Sequence, residues 1–105
     1  MNKIALLNDF FRNTFLGGRI VITPAVNALP LDVKSLAFLK TKHFKNFTED
    51  NDPHGEHDFG SFEIEGERFF WKIDYYDPDM IQGSEDPADP AKTTRVLTIM
   101  LADEY

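Results

Sequence analysis

The stretch that most constrains this chain is Thr94 to Ala102, Thr-Arg-Val-Leu-Thr-Ile-Met-Leu-Ala. Alternate residues of a strand face opposite sides of a sheet. Val96, Thr98, Met100 and Ala102 fall on one side, and Leu97, Ile99 and Leu101 on the other. Neither side suits water. A strand of this kind belongs in the middle of a sheet with both faces covered. The other residues must therefore supply flanking strands and covering helices.

Partner strands are legible just upstream. Phe59 to Ile64 alternates, with Phe62 and Ile64 inward and Ser61 and Glu63 outward. Arg68 to Tyr76 alternates as well, with Phe69, Trp71, Ile73 and Tyr75 on one face. Glu65-Gly66 between them is a hairpin turn. Trp71, on the inward stripe, reads as a core anchor. Arg19-Ile20-Val21-Ile22-Thr23 is β-branched and predicts a short strand ended by Pro24.

Two helices complete the set. Asn2 caps the first, where Ile4, Leu7, Phe11 and Phe15 recur at helical spacing. Gly17-Gly18 is the expected positive-φ stop. Pro30 opens the second, with Asp32 near its positive end. Its expected buried stripe is Val33, Leu36, Ala37 and Lys40, widened by Phe38 and Leu39, ending near Thr41. The expected fold is α+β in one domain, residues 1–105. Its order is αβαβββ, with two helices packed on a mainly antiparallel sheet of about four strands.

Charge divides the chain unevenly. The net charge is −7. Residues 1–48 hold two acids, Asp9 and Asp32, against seven bases, a net +5. Residues 49–105 hold sixteen acids against Arg68, Lys72, Lys92 and Arg95, a net −12. The plain reading of such asymmetry is a solubilising surface, and the sharper one is an electrostatic contact surface. Lys34, Lys40, Lys42 and Lys45 surround the second helix, yet the acidic total opposes duplex binding. Ten Phe and an apolar share of 42% mark a folded chain. The absence of cysteine excludes disulfides, Cys-ligated zinc and thiol catalysis. No run is long and apolar enough to span a membrane, and no leader pattern is present, so a cytoplasmic location with no membrane contact is expected.

Two acidic loops are candidates for function. The first, residues 49–58, is Glu-Asp-Asn-Asp-Pro-His-Gly-Glu-His-Asp. Against calcium-loop spacing, Asp50, Asp52, His54, Gly55 and Asp58 fall at positions 1, 3, 5, 6 and 9. The match fails at position 12, which is Ser61 where a bidentate Glu is needed. His54 and His57, three apart among carboxylates, suit a transition metal if folding brings a third ligand such as Asp74 or Asp77. The plainer reading is a loop shaped by Asp and Asn bonding their own backbone, with Pro53 and Gly55 fixing its direction. The second loop, Asp77 to Lys92, carries Pro78, Pro87 and Pro90 and reads as a mobile, solvated segment. No phosphate loop, nucleophile elbow or His-Glu-x-x-His motif occurs.

The runs Phe47-Thr48 through Asn51-Asp52-Pro53-His54-Gly55-Glu56-His57-Asp58-Phe59-Gly60, Glu67 to Asp77 and Thr94 to Ala102 resemble a small bacterial family of unknown function. The opening pattern of Leu7-Asn8-Asp9, Arg12, Phe15, Gly18 and Arg19 is similar too. The resemblance implies a bacterial, cytoplasmic, stand-alone domain and carries over no catalytic residue.

The sequence favours a small accessory or regulatory module that binds a basic macromolecular partner without a cofactor. One form of it is an acidic inhibitor of a nucleic-acid-binding protein. The expected binding residues are Asp50, Asp52, His54, Glu56, His57, Asp58, Asp74 and Asp77. The alternative is a metal-dependent enzyme or sensor, with a divalent metal on His54, His57 and Asp74. The balance is against an enzyme.

Overall fold

The computed structural model describes residues 2–105. Helix α1 is Lys3–Thr14. The Asn2 side chain accepts the Ala5 amide at 2.7 Å, satisfying one of the helix's unpaired donors. The helix ends one step earlier than Gly17-Gly18 suggests. Phe15 itself takes the left-handed conformation, φ 60°, and its amide reaches Phe11 O. Gly18 is needed for space instead. A Cβ there would lie 2.6 Å from Arg95 O and 2.7 Å from the Phe11 ring.

Strand β1 is Gly18–Ile22, and Pro24 ends it by opening a helix. This helix α2, Pro24–Asn27, makes the helices three rather than two. It is a single turn with Thr23 as cap and Val26 buried, too short for periodicity to reveal. Helix α3 is Leu31–Lys42. Its buried positions are Ala37 and Thr41, with Val33 and Phe38 half-buried. Leu36 and Leu39 are 40% and 52% exposed, and Lys40 is exposed, so the expected stripe is rotated. Apolar residues surround this helix, so its periodicity alone does not fix its phase. The Thr41 and Lys42 carbonyls accept the buried Arg12 guanidinium.

Strands β2, Phe59–Ile64, and β3, Glu67–Tyr76, form the expected hairpin. Glu65 and Gly66 both have positive φ, the geometry that matches strand twist in a two-residue turn. Strand β4, Thr94–Leu101, is central, as its two apolar faces require. The sheet order is β1-β4-β3-β2. The sheet is mixed. β2–β3 and β3–β4 are antiparallel, and β1–β4 is parallel, with Gly18 opposite Arg95 and Ile22 opposite Ile99. The long connection through the helices and hairpin makes that parallel pairing accessible.

All three helices contribute to one core on a single sheet face. Phe11, Val26 and Ala37 meet Ile64, Phe69, Trp71, Ile73, Leu97 and Ile99. Trp71 is fully buried and sits over Gly60, where a Cβ would meet the indole Cε2 at 2.7 Å. On the other face Phe70 pairs with Met100, and Tyr105 lies against Phe59 and Phe70. Strand direction has one further result. β2 begins, β3 ends and β4 begins at the same end of the sheet, so both acidic loops emerge there. No helix among the described residues is long and apolar enough to cross a membrane.

Candidate functional site

The histidine loop is held from within and from below. Asp52 Oδ1 accepts the amides of Glu56 and His57, each at 3.1 Å, while Asp52 N reaches back to Thr48 O. Gly55 and His57 have positive φ, 66° and 57°. His57 is not glycine, so tertiary contacts must offset the strain. Those contacts come from α1. Asn2 donates to Gly55 O at 2.9 Å, Asn8 to Glu56 O at 3.0 Å, and the His57 ring to Asp9.

His57 lies between two carboxylates. Nδ1 is 2.9 and 3.0 Å from the two Asp9 oxygens, and Nε2 is 3.6 Å from Asp52 Oδ2. A carboxylate only accepts, so Nδ1 carries the hydrogen. Asp9 Oδ1 also accepts from Arg12 Nη2 at 3.3 Å, so Asp9 bridges Arg12 and His57. Phe47 stacks flat on His57, centroids 3.9 Å apart, and the Arg12 guanidinium lies over Phe47 and Trp71. Burial lowers the Arg12 pKa, and Asp9 opposes that shift by charge and hydrogen bond. A cleft of about 450 Å³ opens beside these groups, reaching His43 and Lys45.

The second acidic loop is ordered rather than loose. Asp77 Oδ1 accepts Ile81 N at 3.0 Å, and Asp77 N donates to Gln82 O. Ser84 Oγ is 2.8 Å from Thr93 Oγ1, which donates to Asp86 O. Asp89 caps a short 3₁₀ turn, Pro90–Lys92. Short polar side chains closing backbone turns replace the flexibility that three prolines and many acids suggest.

The two loops are tied through Asn8, which is fully buried in α1. Its Oδ1 accepts Arg95 Nε at 2.7 Å, and its Nδ2 donates to Glu56 O and to Tyr75 Oη. Arg95 in turn donates to Pro87 O in the second loop. Tyr75 donates to Glu56 Oε1 at 2.8 Å. Burial, above all, pushes the Tyr75 phenol up, and burial lowers the Arg95 pKa. One hydrogen-bonded chain thus runs from Pro87 through Arg95 and Asn8 to Glu56. Ten of the eighteen acidic residues fall in these two loops.

The expected site residues divide accordingly. Asp52, Glu56 and His57 belong to the anchored network. Asp50 and His54 are exposed on the first loop. Asp58 is half-buried, and burial, then Glu56, raises its pKa. Asp77 shapes the second loop. Asp74 does not join the histidines. It pairs with Lys72 at 2.8 Å and is one strand position from Tyr75, on the opposite sheet face. Among the described residues no group of three His, Asp or Glu is arranged to hold a metal ion. Spacing along the chain gave no role to Asn8, Asp9, Arg12, Phe47, Tyr75 or Arg95.

Residues 22–104 match the model of a protein family of unknown function, DUF3768. No curated protein and no solved structure matches the chain.

Proposed function

The chain belongs to the DUF3768 family, whose description names no activity, and from its geometry we propose that it is an accessory module that binds a basic macromolecular partner through the loop-bearing end of the sheet. The observation that carries this reading is the Pro87–Arg95–Asn8–Glu56 chain. It makes one fixed surface of two acidic loops that are distant in sequence. Carboxylates carried on a fixed backbone cost no loop ordering on binding, and their charge speeds encounter with a cationic partner. Glu49, Asp50, Asp79, Glu85 and Asp86 are exposed there. Their density matches a surface that ordinarily holds a phosphate backbone, so a nucleic-acid-binding protein is the partner class proposed.

The test is affinity capture at low salt with a charge-matched control. The variant Glu49→Gln/Asp50→Asn/Asp79→Asn/Glu85→Gln alters exposed carboxylates whose side chains do not support the anchoring network. The control neutralises Glu63, Glu65, Glu67 and Asp103, which lie outside both loops. The reading expects a basic partner on wild type and control, lost on the loop variant and released by salt. Equal loss on both variants, or capture indifferent to salt, counts against it.

A further inference from the structure

We propose that the cleft between α1 and residues 43–47 binds a small organic anion, through an oxyanion group held by Lys45 and His43 beside the Arg12 charge. The cleft borders the first acidic loop through His57, but it uses donors outside both loops and the proposal does not depend on that reading. The cleft's volume, about 450 Å³, lies in the range of small-molecule sites. Asp9 is the one acidic residue lining it, and its charge is already engaged by Arg12 and His57.

What remains in the cleft is donors. Lys45 and His43 are exposed, and neither side chain has a hydrogen-bond or ion-pair partner among the described residues. Arg12 spends Nη1 on the Thr41 and Lys42 carbonyls and one Nη2 hydrogen on Asp9. Its Nε is buried with no partner and the residue is only 2% exposed, so Arg12 adds positive charge to the cleft wall while Lys45 and His43 present the free donors. Ten acidic residues occupy the two loops, yet no carboxylate pairs with Lys45. A surplus of N–H donors in a concave site on an acidic protein is complementary to an oxyanion, which accepts several charge-assisted hydrogen bonds at once. Phe44 and Phe47 supply an apolar wall, and His57, stacked on Phe47, also lines the cleft. The ligand is therefore an anion with a small apolar body, carrying a carboxylate or a phosphate group.

The experiment is an NMR titration of the whole chain with inorganic phosphate and, separately, with benzoate. Saturable shifts are expected at His43, Phe44, Lys45 and Phe47. Lys45→Gln, a surface change, weakens binding about tenfold, as loss of one charge-assisted hydrogen bond would. His43→Gln weakens it too, and both variants keep the wild-type urea midpoint. Lys34→Gln, elsewhere on α3, leaves binding unchanged. Saturation by phosphate alone identifies a phosphate-bearing ligand, and by benzoate alone a carboxylate-bearing one. No saturation with either probe overturns the proposal. So does binding indifferent to both Lys45→Gln and His43→Gln, or weakened equally by Lys34→Gln.

Discussion

Replacing Asn8 with alanine removes a side chain that is fully buried and makes three hydrogen bonds. The Arg95 guanidinium loses the acceptor for its Nε, and a buried charged donor left unpaired costs about 1.5–3 kcal/mol. Glu56 O and Tyr75 Oη each lose a neutral donor, at roughly 0.5–1.5 kcal/mol apiece. The expected loss is about 3–5 kcal/mol, a large fraction of the ~5–15 kcal/mol that holds a domain together. In urea the midpoint falls by roughly 2 M at an unchanged slope, because the surface exposed on unfolding stays the same. Hydrogen exchange should report more. Amides of 52–58 and of 84–93 lose protection together, since Asn8 ties both loops. A loss below ~1 kcal/mol would refute the network's role in stability. Deprotection confined to one loop would refute the tie between them.

Gly60→Ala puts a methyl 2.7–2.8 Å from the fully buried Trp71 indole; it should cost about 2–3 kcal/mol and lower the thermal midpoint by roughly 10–20 °C. An unchanged midpoint would mean that the indole does not cover that strand. Asp58→Asn tests a raised pKa. A carboxyl whose folded pKa is raised favours the folded state at low pH, and that contribution is lost as pH rises through the folded value. Asp58→Asn should therefore be more stable than wild type at neutral pH, with the advantage vanishing in acid below the ordinary carboxylate range; an advantage that grows in acid would contradict the assignment.

The hairpin and the central strand were legible because period-two alternation and the Glu65-Gly66 turn are local signals. The phase of α3 was not, since Leu36, Leu39, Val33 and Phe38 offer apolar faces in several directions and only the packed core shows that Val33, Ala37 and Phe38 face inward. Nor was the parallel β1–β4 pair, which depends on partners some eighty residues apart in the chain. At the candidate site, composition found the histidine loop and suggested its fixed shape. It could not find what fixes it. Asp9 and His57 are 48 residues apart, and Asn8 and Arg95 are 87 apart. The second loop read as mobile because Pro, Asp and Glu are common in disordered segments. Its order comes from Ser84, Thr93 and Arg95 closing particular backbone groups, which composition does not encode.

The central claim is that the two acidic loops act as one surface. An NMR titration with a lysine-rich peptide tests it most directly. The predicted result is perturbation of exposed residues in 49–58 and 77–92 along a single binding curve, absent from the Glu65-Gly66 hairpin tip. Asn8→Ala should split that curve into two weaker ones. Loops that titrate independently in the wild-type chain, or shifts spread evenly over all acidic residues, would contradict the claim.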